Sequence, residues 1–136
     1  MKGCLRLRSV AVKRKRALTI SDLEIVISDL SHSIAHDDLL FLAMLLTGFF
    51  ALMRLGELSF PNDIKSRDWK KVTKRSSVII SNDQYEFHLP SHKADPFFEG
   101  NHVVVKAKQF CDINPLTIFA AYIASRDKLF PLLSPL

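Results

Sequence analysis

Arg54 follows the most apolar stretch of the chain, and its side chain is suited to holding a phosphate. Residues 39–53, LLFLAMLLTGFFALM, are interrupted only by Thr47 and Gly48, and Glu57 comes three residues after the arginine. A guanidinium bonds two phosphate oxygens with its planar fork and stays charged at any working pH. Glu57 stands at the i, i+3 spacing of helical neighbours, so we expect it to pair with Arg54 and orient it. The alternative is an arginine that leaves the core and makes an ordinary surface ion pair with Glu57.

A second chemical feature is the basic segment, KSRDWKKVTKR at residues 65–75, which has six basic residues and one acid. Basic clusters favour polyanions, and nucleic acid is the commonest of them. The side chains expected to contact DNA are Lys65, Arg67, Lys70, Lys71, Lys74 and Arg75. On charge alone, a solvated loop explains the segment equally well. Trp69 within it is suited to stacking on a base, but beside a small sheet we expect a tryptophan to cover the core.

The excess positive charge comes from the first residues of the chain. Residues 1–16 hold seven Lys or Arg and no acid, whereas residues 17–136 hold twelve basic and fourteen acidic residues, which divides the net +5 into +7 and −2. We expect residues 1–17 to be a disordered basic leader, with KRKR at 13–16 as a nuclear address. Cys4 and Cys111 match no metal or redox spacing, so we expect reduced thiols in an intracellular, nuclear protein.

The sequence predicts no metal, no cofactor and no membrane span. His88, His92 and His102 lie on predicted strands and a loop without matching Cys or Asp spacing, which favours solvent-facing side chains over metal ligands. His92, next to Lys93, is instead a candidate phosphate contact. The apolar run of 15 residues is shorter than the ~20 that cross a bilayer, so a buried core helix is predicted.

Helices are predicted first along the chain. The pattern Ser21-Asp22-Leu23-Glu24 indicates a helix start, with Thr19 as an earlier alternative cap, and predicts a helix over about residues 20–32. A second helix has Asp37 and Asp38 in its first turn, ends between Gly48 and Leu52, and is expected to be buried on all sides. Residues 54–58 form a further helical turn.

The pattern then changes to strands and ends in one more helix. Residues 76–81, 85–89 and 102–106 are predicted to form a three-stranded antiparallel sheet, with a loop over 91–101. Asn114 and Pro115 predict the cap and first position of a last helix. The apolar face of that helix is Leu116, Phe119, Ile123 and Phe130. The fold class is therefore α+β, mainly helical with one small sheet.

With these elements in order, the chain resembles the catalytic domain of tyrosine recombinases, the phage-integrase-like enzymes that break and rejoin DNA. ALTISDLEIVI at 17–27 is similar to the opening helix of that family, and TGFFALMRLGEL at 47–58 to its first-arginine motif. YEFHLPSHKADPFFEGNHVVV at 85–105 is similar to its second and third strands. The likeness spans residues 18–136 and is nearest to recombinase-like reading frames of fungal mobile elements such as cryptons.

The resemblance implies roles for particular residues. Arg54 is then the arginine that stabilises charge on the phosphate, with Glu57 in support. Lys93 is the lysine that gives a proton to the leaving 5′-oxygen. The implied partner is double-stranded DNA, and the implied process is recombination or integration.

The departures from the family pattern limit what the chain is expected to do alone. In no case is the third residue after a histidine an arginine, and Arg126 is the single arginine beyond Arg75. Tyr85 and Tyr122 lie on a predicted strand and an amphipathic helix, away from the place of a tyrosine nucleophile. We therefore expect residues 18–136 to be the N-terminal part of a catalytic domain that binds DNA but is inactive alone. The alternatives are a non-catalytic DNA-binding protein and a protein-interaction module, which self-associates or binds a chain that supplies the missing helices.

Overall fold

The computed structural model describes residues 15–30, 32–59, 61–90, 100–107 and 113–136. Within these ranges the α-helices are α1 (Ile20–Leu30), α2 (His36–Phe50), α3 (Leu55–Leu58) and α4 (Pro115–Leu129). The strands are β1 (Ile79–Ile80), β2 (Gln84–Leu89) and β3 (Asn101–Lys106). The predicted α+β class, mainly helical with one small antiparallel sheet, is confirmed.

The helix α1 is capped by Thr19, the alternative cap that the sequence offered. The Thr19 backbone N–H donates to Asp22 Oδ2 at 2.9 Å, and the Asp22 N–H is 3.4 Å from Thr19 Oγ1. Arg16, inside the predicted leader, donates to the same carboxylate from Nη1 at 2.6 Å and lowers the pKa of Asp22 well below its usual range. Leu23 is the residue of α1 that is buried in the core. Residues 1–14 of the leader lie outside the described residues.

The long helix α2 packs mainly against α4 and buries one stripe, not its whole surface. Its fully buried residues are Leu42, Ala43, Leu46 and Thr47. The predicted burial on all sides is therefore wrong, because the Phe41 side chain is 50% exposed. A helix with apolar residues on every side therefore need not have other elements packed on every side.

The sheet has the order β1-β2-β3 with both pairs antiparallel, and Tyr85 lies opposite Val105 across β2 and β3. The predicted strand over 76–81 is reduced to the two residues of β1. Ser77 instead lies in a 3-10 turn, and its Oγ accepts the His88 backbone N–H at 3.2 Å. A side chain thus takes the place of a ladder bond on β2, and the pairing stops there.

The main core lies between the inner face of the sheet, α2 and α4. Tyr85 stacks on Phe119 with ring centroids 3.9 Å apart and an interplanar angle of 6°. The helix begins as predicted, since the Asn114 side chain accepts the Leu116 backbone N–H at 3.0 Å. Phe130, predicted on the buried face, is 41% exposed because it lies just past the end of α4.

Candidate nucleic-acid interface

The turn after α2 brings Arg54 to the surface. The Met53 backbone N–H donates to Gly48 O at 2.9 Å, which is the bond that closes a Schellman-type helix end. Leu52 lies inside this turn with φ of 53°, in the left-handed region that favours glycine, and its side chain is 91% exposed. The chain then continues in extended backbone at Arg54, the N-cap of α3.

Arg54 and Glu57 form the pair that the sequence predicted. Arg54 Nη1 donates to Glu57 Oε1 at 3.2 Å, and the Arg54 backbone N–H donates to Glu57 Oε2 at 3.0 Å. In return the Glu57 backbone N–H donates to Arg54 O at 2.8 Å. The glutamate side chain is 15% exposed, whereas that of Arg54 is 65% exposed. Glu57 therefore anchors the guanidinium from the protein side and leaves most of it facing solvent.

A shallow recess of about 450 Å³ lies beside Arg54. On one side it is lined by residues 51–54 and Glu57, and on the other by Leu89 and residues 101–104. The second side consists of the end of β2 and the start of β3, so both ends of the β2–β3 connection meet the recess. His92 and Lys93, predicted for the site, lie within residues 91–99, outside the described residues.

Gly100 fixes the place where the connection re-enters the sheet. Its φ is +73°, and a Cβ built on it would lie 2.6 Å from His88 Nε2 and 2.7 Å from Leu89 O. Leu89 O is a backbone atom, so it cannot move aside as the end of a side chain can. Any larger residue at this position would therefore distort the edge of the recess.

The basic segment, with the residues before it, is a series of short turns. The 3-10 turns are Ile64–Ser66, Trp69–Lys71 and Arg75–Ser77. Two are capped by aspartates, because the Asp63 side chain accepts the Lys65 backbone N–H and the Asp68 side chain accepts that of Lys70, each at 3.0 Å. Asp63 and Asp68 thus serve as the caps of these turns.

The predicted DNA contacts divide into two groups. Lys65, Lys70 and Lys74 are exposed and make no ion pair with other described residues. Lys71 Nζ lies 3.8 Å from Asp68. Arg67 Nε donates to a backbone carbonyl six residues earlier at 3.0 Å. Lys65, Lys70 and Lys74 are therefore the predicted DNA contacts that are exposed and form no ion pair within the described residues.

Arg75, predicted as a DNA contact, has a structural role in the described part of the chain. Its Nη2 donates to Asp127 Oδ2 at 2.7 Å and its Nε to Oδ1 at 3.0 Å, and the hydrogen bonds lower the pKa of that carboxyl group. The Arg75 backbone N–H also donates to Ser134 O at 2.7 Å. The sequence did not predict this ion pair with a carboxylate on α4, and the DNA contact of Arg75 stays a prediction.

Arg126 holds the C-terminal tail, residues 130–136, against the same helix. Its side chain is buried and donates to Asp127 Oδ1 at 2.9 Å, to Phe130 O at 3.3 Å and to the carbonyls of Leu133 and Pro135. Four hydrogen bonds from its two terminal nitrogens, together with burial, leave this guanidinium unavailable to a phosphate. Arg126 is therefore a structural residue and not a second phosphate-binding arginine.

Both tyrosines are core residues. Tyr85 is fully buried, forms a 2.8 Å hydrogen bond with Thr47 Oγ1, and burial raises its pKa to about 12. Tyr122 is 5% exposed, stacks on His36 with centroids 5.7 Å apart, and burial raises its pKa too. A raised pKa and a closed surface both disfavour attack on a phosphate. The predicted placement of these residues, one in the sheet and one on a helix face, is confirmed.

Trp69 is exposed, and the prediction that it covers the core is wrong. Its side chain is 65% exposed in the middle 3-10 turn of the basic segment. Ile64, at the start of the preceding turn, is 75% exposed. Asp63 and Asp68 were the signal in the sequence that could have predicted this exposure. Aspartates favour turns, and connecting segments made of turns run over the protein surface.

Sequence reasoning also missed an apolar pocket of about 520 Å³ between α2, α4, residues 56–73 and the C-terminal tail. Leu40, Met44 and Phe119 contribute to its apolar walls. Thr73 Oγ1, another part of the lining, is buried and has no hydrogen-bond partner among the described residues. Glu57 lines this pocket as well as the recess of Arg54.

Two features are absent from the described part of the chain. No helix there is both long and apolar enough to cross a membrane. Among the same residues, no group of three or more His, Cys, Asp or Glu side chains is placed to hold a metal ion.

Comparisons of the chain with protein-family models, curated proteins and solved structures found no match.

Proposed function

We propose that this chain binds double-stranded DNA and is the DNA-binding part of a tyrosine-recombinase-like strand-exchange protein. The observation that carries the proposal is the placement of Arg54. Its guanidinium is fixed by Glu57 yet 65% exposed, and it borders a recess formed by both ends of the connection that contains Lys93. A pre-oriented, exposed guanidinium beside a recess is what phosphate binding requires.

The exposed lysines of the basic segment supply the remaining affinity. Lys65, Lys70 and Lys74 present charge that does not depend on base sequence, as contacts to a phosphate backbone do. Arg54 then holds one phosphate, and Lys93 gives its proton to the leaving oxygen in the complete reaction. The basic residues at 13–16 support a nuclear location for such a protein.

The chain alone is proposed to bind DNA without cutting it. The covalent step needs an accessible tyrosine, and both Tyr85 and Tyr122 are closed off in the core. A nicked suicide DNA substrate followed by denaturing electrophoresis tests this directly. We expect no protein–DNA adduct. An adduct that disappears in Tyr122→Phe or Tyr85→Phe would show that the core opens and that the chain is an enzyme.

DNA binding itself is tested by fluorescence anisotropy of a labelled duplex at several salt concentrations. Each lysine that contacts a phosphate adds about 0.9 to the slope of log K against log salt. The double variant Lys70→Ala/Lys74→Ala is expected to lower that slope by about two. The matched control is Lys106→Ala/Lys128→Ala, two exposed lysines outside the basic segment. An equal loss of slope in both double variants would show that the binding is nonspecific attraction by net charge.

Arg54→Ala is expected to weaken DNA binding less than the lysine double variant does, because one phosphate contact is lost among several. The slope should fall by about one, and Arg54→Lys should restore it without restoring full affinity, since a lysine lacks the bidentate fork. A slope unchanged in Arg54→Ala would remove Arg54 from the interface and leave it a surface partner of Glu57.

A protein-interaction module is the second candidate, and the apolar pocket is the observation that favours it. The pocket of about 520 Å³ opens beside exposed apolar side chains of the C-terminal tail, with Leu132 95% and Leu133 56% exposed. Exposed apolar surface promotes association. Sedimentation equilibrium of the purified chain measures it. A dimer that does not bind duplex DNA at low salt would favour this candidate over the first.

A further inference from the structure

One histidine of the sheet belongs to the same recess as Arg54. His102 lines this recess of about 450 Å³ from the side of β3, and Arg54 lines it from the turn after α2. The His102 side chain is 54% exposed, so a molecule from solvent can reach it. A phosphate bound at Arg54 would therefore share the recess with an accessible imidazole.

The pairing of β2 with β3 decides which groups surround this imidazole. His102 lies directly opposite His88, and Glu86 is two residues away from His88 on the same face of the sheet. His102 Nδ1 lies 3.9 Å from Glu86 Oε2, which is an ion pair only when the imidazole is protonated. His88 is exposed too, but it is not part of the recess lining. His102 is thus the histidine of this cross-strand pair that belongs to the recess.

The charges at the recess oppose an anion as long as His102 is neutral. Arg54 contributes +1, whereas its partner Glu57 and the neighbour of His102, Glu86, contribute −1 each, so that these described groups sum to −1. Histidine is the side chain that ordinarily changes its charge between about pH 5 and 8. A proton on His102 brings the sum to zero and provides a second charged donor beside the guanidinium.

We propose that His102 is a second phosphate contact of the Arg54 recess and acts in its protonated form, so that one backbone phosphate of DNA is bound together with one proton. The proposal rests on the DNA binding proposed above and names the regulation of its central contact. A phosphodiester of the DNA backbone stays singly charged between about pH 5 and 8, so a change of affinity in this range reports on the protein. Because the complex takes up a proton, DNA must bind more tightly as pH falls.

Fluorescence anisotropy of a labelled duplex at about pH 8 and about pH 5.5 measures this coupling. In the parent chain we expect log K to rise as pH falls, by at most about one per pH unit for a single proton. The slope of log K against log salt should be steeper at the lower pH by up to about 0.9, the contribution of one further phosphate contact. His102→Gln should bind as the parent does at high pH and lose both increases.

Two further variants serve as controls. His88→Gln changes the residue opposite His102, which is exposed and outside the recess lining, and should keep both increases. His102→Lys carries its charge at both pH values and should therefore show the steeper salt slope at both. Because both histidines are exposed, the thermal unfolding midpoints of these variants should match that of the parent.

The outcomes separate this proposal from the proposed function. Absence of DNA binding at both pH values contradicts the proposed function as a whole. DNA binding that does not change with pH, or whose change persists in His102→Gln, leaves DNA binding intact and overturns the role of His102. A change that is lost equally in His88→Gln overturns it in favour of net charge. If His102→Gln alters the pH dependence of unfolding but not that of DNA affinity, the imidazole only pairs with Glu86 and the proposal is overturned.

Discussion

Leu52 has the backbone conformation of a glycine, and Leu52→Gly is expected to stabilise the protein. Its φ of 53° places a branched side chain in the left-handed region at the end of α2. That conformation costs a residue with a Cβ roughly 1–2 kcal/mol. Because the leucine side chain is 91% exposed, removing it forfeits almost no burial.

The size of the gain follows from two opposing effects. Glycine avoids the left-handed penalty but adds about 0.5–1 kcal/mol of conformational freedom to the unfolded chain. The free energy of unfolding should therefore rise by about 0.5–1 kcal/mol. For a chain of 136 residues this corresponds to an increase in Tm of about 2–4 °C.

Urea unfolding followed by far-UV circular dichroism measures the change, with Leu52→Ala as the control. Alanine removes the same exposed side chain but keeps the Cβ, so its stability should stay within about 0.5 kcal/mol of the parent. The reasoning is refuted if the glycine variant is no more stable than the alanine variant. An altered denaturant slope in either variant would point instead to a change in the unfolded state.

Three further substitutions test other parts of the structure. Gly100→Ala should lower the free energy of unfolding by about 1–3 kcal/mol in urea titrations, because its Cβ would lie 2.7 Å from Leu89 O at a φ of +73°; a neutral result would mean that this edge of the sheet adapts. Arg126→Met should cost about 2–4 kcal/mol and expose the C-terminal tail to proteolysis, since the tail carbonyls lose the buried guanidinium that binds them; protease resistance equal to the parent would contradict the anchoring role. The pKa of Asp127 is lowered mainly by its hydrogen bonds to Arg75, so its contribution to stability is complete above the unfolded pKa of about 4 and is lost as pH falls through the folded value. The stability difference between the parent and Asp127→Asn should accordingly be constant above about pH 5 and shrink below about pH 4, and a pH-independent difference would exclude the ion pair as its source.

Local signals in the sequence predicted the parts of the fold that local physics decides. Asn114 followed by Pro115 specifies a helix start through one side-chain bond and one fixed φ, and α4 begins there. The i, i+3 spacing of Arg54 and Glu57 likewise needed only one helical turn to bring them together. In both cases the partners lie within a few positions of each other.

The features that the sequence did not predict depend on partners that are distant in the sequence. Arg75 was assigned to DNA by its neighbours in the chain, but its partner Asp127 is 52 positions away on α4. Phe41 was expected to be buried because its helix is apolar all round, yet burial depends on which elements pack there. Composition specifies which residues can be buried or charged, and tertiary contacts determine which of them are.

Glu57 has a position that links two regions of the molecule. It anchors the guanidinium of Arg54 on one side and forms part of the wall of the apolar pocket on the other. If Arg54 binds phosphate as proposed, a molecule that fills the pocket and shifts this carboxylate changes the affinity of Arg54 for phosphate. By thermodynamic reciprocity, DNA bound at Arg54 would change the affinity of the pocket by the same factor. Occupancy of this largely apolar pocket would in this way set the strength of an electrostatic contact at Arg54.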